Sequence, residues 1–250
     1  MRIRYGSQSN QGRVRTSNED SFFANGRTKL FLVADGMGGH AAGEVASHIA
    51  STTIQEILAT PGSSQDDPAE ALRSAAQAAN ARIYEAQRET LEYMGMGSTL
   101  SALIFRGSNY YIAHVGDSRA YLLREGTLDQ LTRDHSVVWH LYESGVLRKE
   151  DLSRHPQKNL IIRSIGPHPQ VEVDIESGEA RERDLYLLCS DGLTDVLTDE
   201  AIQRIVLDPA KSPQELADTL VNAANEGGGP DNVTVVVVRL EPGTAEEQKP

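Results

Sequence analysis

The stretch TLSALIFRGSNYYIAHVGDSRAYLLR, residues 99–124, decides the fold class. Thr99 to Phe105, Tyr110 to Val115 and Arg119 to Arg124 each read as a short strand rich in aliphatic and aromatic side chains. Gly107-Ser108-Asn109 supplies a hairpin turn between the first two. Strands joined by such short breaks run antiparallel, because a parallel pair needs a crossover of a dozen residues or more.

Working outward, the segment upstream reads as a pair of helices. Residues 42–58 place Val45, Ile49 and Ile57 at helical spacing, and residues 69–91 place Leu72, Ala76, Ala79 and Ile83 on one face. Pro61 to Pro68 is the loop between them. Before the pair lies a short apolar strand, Leu30 to Ala34, ending at Asp35 and followed by a flexible loop of Gly36, Gly38 and Gly39. The polar start, to Asn25, has weak alternation and reads as one or two strands.

Downstream, residues 135–165 are polar and mixed in charge, with helical signals only in short pieces, and read as an inserted surface flap. Strands resume at Val171 to Ile175 and Leu185 to Cys189. A helix from about Asp199 has Thr198 as its N-cap and acids in its first turn. Another opens with Ser212, Pro213 and Glu215, a capping box with proline in the first turn, and stops near Gly227-Gly228-Gly229. Val233 to Leu240 closes the pattern as a fully buried strand. Hairpin-linked strands with helices in pairs predict an α+β fold, antiparallel sheets covered by helices.

The chain has 250 residues, 39% hydrophobic and 24% charged, which suits a soluble globular protein with an ample core. We expect one domain over residues 1–242, the flap included, and a frayed tail over 243–250 that is also compatible with the start of a linker in a longer protein. A net charge of -12 argues against nucleic acid or an anionic membrane as partner. The single cysteine, Cys189, lies in an apolar strand and reads as a small buried hydrophobe. Lack of a disulfide framework, of a signal peptide and of a long apolar run predicts a cytoplasmic setting.

Chemistry is concentrated in acids at strand ends: Asp35 in FLVADG, Asp117 in IAHVGDS, Asp191 in LYLLCSDG and Asp231 in GPDNVTVVVV. Any one of them alone fits a plain turn. Together, meeting along one edge, they would repel one another unless cations lay between them. An all-oxygen, highly charged ligand set selects Mg2+ or Mn2+ over zinc. Asp35, Asp191 and Asp231 suffice for two cations with one bridging carboxylate, and the Gly36 carbonyl is a further oxygen donor. Asp117 joins Asp191 around a third, weaker cation, or else sits in a tight turn paired with Arg119.

Arg15, in RTSNED, offers a planar fork for a phosphate dianion, and Glu19 and Asp20 add acids for waters held by the metals. A solvated turn with a surface ion pair accounts for the same segment. His40, after the glycines, fits a proton donor to a leaving alkoxide and equally a loop histidine with local hydrogen bonds. His114 reads as a satisfied core residue, and His135, Trp139 and His140 as packing or surface groups of the flap. DGMGG lacks the spacing and ending of a nucleotide loop, and there is no Gly-x-Ser-x-Gly elbow for a serine nucleophile.

RTSNEDSF, FLVADGMGGHAAGEVAS, GSTLSALIF, AHVGDSRAYLLREG, LTRDHSVV, LLCSDGLTDVL and GGPDNVTVVVV occur in that order. As a set, from about residue 5 to about residue 240, they resemble the bacterial type 2C, metal-dependent serine/threonine protein phosphatases. The resemblance implies a four-layer αββα sandwich of two antiparallel sheets flanked by helix pairs, with residues 135–165 as the variable flap. It implies two Mn2+ or Mg2+ ions bridged by Asp35, with Gly36, Asp191 and Asp231 as further ligands and Asp20 acting through water. It also implies a third ion held by Asp117 and Asp191, Arg15 on the substrate phosphate, and His40 at the position of the bacterial DGMGGH motif. The implied reaction is one-step hydrolysis of phosphoserine and phosphothreonine by an activated water, on proteins phosphorylated by an opposing serine/threonine kinase, by a chain that is monomeric by default. A regulatory module on the same fold, and a phosphodiesterase or small-metabolite phosphatase, are the rival readings.

Overall fold

The computed structural model describes residues 1–38, 42–58 and 67–243. In chain order the strands are β1 (Arg2–Asn10), β2 (Asp20–Asn25), β3 (Leu30–Met37), β4 (Gly97–Ser98), β5 (Leu100–Arg106), β6 (Asn109–Val115), β7 (Arg119–Arg124), β8 (Thr127–Gln130), β9 (Asp174–Glu179), β10 (Leu185–Cys189) and β11 (Val233–Glu241). The helices are α1 (Ala42–Leu58), α2 (Pro68–Glu89), α3 (Val137–Glu143), α4 (Asp191–Thr194), α5 (Asp199–Val206) and α6 (Pro213–Glu226).

All pairings are antiparallel. One sheet has the order β1-β11-β10-β7-β8, and the other β2-β3-β5-β6-β9 with β4 added to β3. Alternation along the central strands builds the layers. In β11, Val236 and Val238 face the other sheet, while Val235 and Val237 face α6 with Leu216, Leu220 and Val221. In β3, Phe31 and Val33 point inward, while Leu30, Leu32 and Ala34 pack under α1 and α2. Phe31 and Phe105 of one sheet stack edge to face at 6.2 Å, and Phe105 meets Tyr186 of the other sheet at 5.2 Å across the seam. The result is the four-layer αββα sandwich, with a core between each pair of layers.

Helix ends follow the caps read from sequence. Ser212 and Glu215 close a capping box on α6, and Thr198 accepts from the Ala201 amide at 3.3 Å to start α5. Asp67 opens α2, one residue earlier than expected, by accepting from the Ala69 amide at 2.9 Å. The helix α1 packs through Ala42, Ala46, Ser47, Ala50 and Ile54, with Val45, Ile49 and Ile57 only on the flank of its buried face. Small side chains win the centre because they bring the helix close to β3.

Two expectations shift. Gly36 belongs to β3, opposite Ser98, rather than to a loop. The strand expected at Val171 to Ile175 starts at Asp174 and runs to Glu179. Val173 instead packs against α2, and its carbonyl accepts from Arg73 at 2.7 Å. Pro167 and Pro169, just upstream, have no N–H for a ladder. Strands β4 and β8 and helix α4 are too short to show a period and went unread. The expected loop from Pro61 falls, up to residue 66, outside the described residues, as do His40 and residues 244–250. Residues 135–165 do form an insertion between β8 and β9, with α3, a 3-10 turn over Lys149–Arg154 and a lone bridge between Ser136 and Ile161.

Candidate metal centre

Both sheets deliver acids to the same rim. Asp20 opens β2 directly opposite Asp35 of β3. From the facing sheet, Asp191 follows β10 as the first residue of α4, and Asp231 precedes β11. Asp117 occupies the connection from β6 to β7.

The local backbone is tightly held. The Asp35 amide donates to Thr99 Oγ1 at 2.9 Å, and its carbonyl accepts from the Thr99 amide at 2.9 Å and from Ser98 Oγ at 3.0 Å. At Gly36 a side chain is excluded, since a Cβ would lie 2.0 Å from the Gly43 carbonyl oxygen. The two sheets are stapled at Ser190. Its hydroxyl donates to Asp20 Oδ2 at 2.8 Å and accepts from the Thr234 amide at 2.9 Å. Asn232 performs a similar task for the Arg15 loop, accepting from the Glu19 amide at 2.8 Å and donating to the carbonyls of Gln11 and Ser17.

Burial is the first cause of abnormal acidity here, and mutual repulsion adds to it. Asp35 is held well above the ordinary carboxylate range by burial, then by the charges of Asp20, Asp191, Asp117 and Asp231. Asp191 is held well above it likewise, by burial and by Asp117, Asp195, Asp231 and Asp20. Burial lifts Asp20 to about 6, although Thr234 and Ser190 hydrogen bonds oppose the shift. Asp117 is pushed up to about 7, by burial and then by Asp134. Oδ1 of Asp20 and Oδ1 of Asp191 are buried without any hydrogen-bond partner. An orphaned buried carboxylate oxygen is costly, and two of them on one rim point to a cationic ligand. Among the described residues, no three acidic, imidazole or thiol groups are drawn into a finished coordination shell. The acids share one field without converging on one point. Their all-oxygen donor set, charge and orphaned atoms fit hard divalent cations.

Arg15 extends half-exposed over this rim. Its Nη2 meets Asp231 Oδ2 at 2.6 Å, the main cause of its raised pKa, and its carbonyl is fixed by Gln11 at 2.6 Å. Asp231 Oδ1 accepts from the Asn232 amide at 2.8 Å. Glu19 lies beside Gly43 and is raised chiefly by burial. Arg119 is not the partner of Asp117. Its fork closes on Asp134, with bonds of 2.9 and 2.6 Å, so the tight-turn pairing weighed for Asp117 is not formed. His114 is a satisfied core histidine between Ser101 Oγ and the Arg133 carbonyl, both at 3.0 Å, and burial lowers it to about 4. The rim thus gathers Arg15, Asp20, Asp35, Gly36, Asp117, Asp191 and Asp231.

Sequence reading missed Ser190, Thr99 and Asn232. The signal available was adjacency: Ser190 and Asn232 each border a strand-end aspartate, and Thr99 follows a glycine-serine step at a strand start.

The sequence matches the model of the protein phosphatase 2C family over residues 9–228. The serine/threonine protein phosphatase PstP of Mycobacterium tuberculosis is 42% identical over 94% of this chain, which spans 44% of PstP's length. The serine/threonine phosphatase Stp of Listeria monocytogenes is 39% identical, with 94% of each chain covered. A crystal structure of the PstP catalytic domain in complex with two manganese ions superposes with a TM-score of 0.87 at 41% identity, covering 96% of this chain and 99% of that one. The chain belongs to the protein phosphatase 2C family.

Proposed function

We propose that residues 1–242 form one catalytic domain that hydrolyses phosphoserine and phosphothreonine on proteins with the help of Mn2+ or Mg2+. The observation that carries this is the rim of aspartates with orphaned buried oxygens beside an exposed guanidinium. Negative and positive elements of that kind, side by side, suit a cation-bridged phosphate. The names of the relatives and the manganese complex of the PstP domain support the same reading.

In this proposal Asp35, the Gly36 carbonyl, Asp191 and Asp231 would hold two cations. Asp20 acts through water, and Asp117 with Asp191 holds a third ion. Bound cations at such a site lower the pKa of water and neutralise charge on the phosphorus centre. The chain's own residues do the rest. Arg15 grips the phosphate oxygens, and Asp231 and Gln11 aim it. Ser190 fixes the Asp20 carboxylate across the sheet seam. His40 is the candidate to protonate the leaving seryl or threonyl oxygen. No covalent phosphoenzyme is expected of Cys189, since it is buried in β10 and burial pushes its thiol up to about 12.

A groove of about 750 Å³ leads from Asp117 and Asp191 between the flap and α5, past Trp139, Lys158 and Asp195. It offers room for the peptide around the phosphoresidue. A cytoplasmic signalling role opposite a serine/threonine kinase, as a monomer, completes the proposal. No helix among the described residues is long and apolar enough to cross a membrane. The test is hydrolysis of a phosphothreonine peptide, an aryl phosphate and a nucleotide with Mn2+, then with excess chelator. The expected result is peptide and aryl phosphate turnover that stops on chelation. Turnover that survives full chelation, or preference for the nucleotide, contradicts the reading.

A further inference from the structure

The Asp117 connection is unusual in how it is held. Ser118, next to it, is fully buried between Thr99 Oγ1 at 2.7 Å and, through its carbonyl, Ser101 Oγ at 2.9 Å. On the other side, Gly116 adopts φ +108, and a Cβ there would lie 2.6 Å from Thr99 Cγ2. That conformation is strained for any other residue, which is why a glycine stands here, and the connection is also gripped from outside. The grip comes from the root of the flap. The Gly116 amide donates to His135 Nδ1 at 3.0 Å, and the His135 amide returns a bond to the Gly116 carbonyl at 2.7 Å.

The same imidazole reaches the other leg of the flap. An amide donor at Nδ1 leaves the ring proton of the neutral tautomer on Nε2, which faces Asp174 Oδ2 at 3.1 Å. Arg163 Nη1, 3.0 Å from Nε2, has its own acceptor in Asp174 Oδ1 at 2.6 Å. The His135 carbonyl accepts from the Ile162 amide at 2.8 Å. The ring also lies 4.9 Å from that of His114. Both legs of the flap and the first residue of β9 therefore meet on one residue, whose ring bonds Gly116, next to Asp117.

We propose that His135 is a positioning residue for the phosphatase reaction: by gripping Gly116 it sets the Asp117 carboxylate and ties that placement to the flap. This deepens the proposed function and rests on it, since Asp117 matters only as a cation ligand. It differs from the sequence reading, in which His135 is a packing or surface group. Groups that orient a ligand from behind typically carry about 10–100-fold in metal affinity or activity.

The test is calorimetric Mn2+ titration of the whole chain, with phosphopeptide kinetics and hydrogen exchange at the Gly116 amide alongside. Asp117→Ala identifies the weakest Mn2+ step by abolishing it. His135→Gln, which reaches Asp174 but not Gly116, should weaken that step about tenfold, leave the tighter steps alone and unprotect the Gly116 amide. His135→Asn, whose Oδ1 takes the place of Nδ1, should restore both. In the Asp117→Ala background His135→Gln should add nothing, whereas a merely structural histidine would cost the same in either background. Equal losses in the two backgrounds, an unmoved weakest step, or an Asn variant as impaired as the Gln one would overturn the proposal. If His135→Gln does not fold, the folded Asn variant decides: a retained step with slow Gly116 exchange supports the grip, and a lost step refutes it. Failure of the phosphatase reading is distinguishable, because the wild type would then hydrolyse no phosphopeptide while Gly116 exchange still reports the grip.

Discussion

Strand β10 carries an aspartate near each end, and the two are treated in opposite ways. At the start, Asp184 is 2% exposed and fully answered. It accepts from Arg124 at 2.9 and 2.7 Å, from the Arg181 amide at 2.7 Å and from Tyr186 at 3.3 Å. At the far end, Asp191 Oδ1 is buried with no partner, in a field of like charges that raises its pKa. The Asp184 end resembles ordinary folding chemistry, in which a buried charge is kept only with a matched donor. The Asp191 end spends stability on an unmet need. In this pair, the answered acid holds the fold together, and the unanswered acid, among like charges, marks where a cation is to bind.

The sharpest way to break this contrast is to neutralise the unpaired acid. Asp191→Asn is expected to lower kcat by about 10²–10³-fold or more, the scale of losing one preorganised electrostatic group, together with most Mn2+ binding. Without metal, the same variant should melt about 2–4 °C above metal-free wild type, because a repelled buried charge is gone. Wild-type turnover, or a lower melting point, would put the two ends of β10 in one class. The complementary change, Asp184→Ala, strands Arg124 and should cost about 3–5 kcal/mol in denaturant unfolding. Its kcat per folded molecule should be unchanged. A smaller effect is expected of Arg15→Ala: kcat/KM for a phosphopeptide down about 10–100-fold, the scale of a lost charge-assisted phosphate contact. Its stability should shift by less than about 0.5 kcal/mol, since the pair with Asp231 is solvent-accessible at both ends.

The mildest test is pH. Asp20 and Asp117 are raised from an ordinary value of 3.8 to about 6 and about 7. An acid raised in the folded state holds its proton there while the unfolded chain has lost it. Its contribution to stability is therefore complete below pH 3.8 and is lost as pH rises through about 6 to 7. Metal-free protein should lose stability over that window, and saturating Mn2+ should reverse the trend by favouring the ionised carboxylates. A metal-free stability that rises from pH 4 to 7 would contradict the shifts.

Much of this was legible in the chain. Meander strands, helix pairs and caps at Thr198 and Ser212 follow from local rules, and β7, β10, α1 and the start of α6 fall where read. The strand-end aspartates were legible because the same acid recurs at four strand ends, although any one alone fits a plain turn. What the sequence hid was long-range. Register brings Asp20 opposite Asp35, and Ser190 reaches across the seam 170 positions to Asp20. Arg119, two residues on, was the alternative partner for Asp117, but its fork goes to Asp134 at the flap root. His135 looked peripheral because nothing local ties it to Gly116, 19 positions away. Such couplings are set by how sheets stack, and no period in the chain encodes them.

Anomalous diffraction from crystals soaked in Mn2+ tests the central claim most directly. The account predicts two strong peaks within coordination distance of Asp35, one also near Asp191 and Asp231, and a weaker third between Asp117 and Asp191. Manganese peaks elsewhere on the surface, with none among these carboxylates, would contradict it.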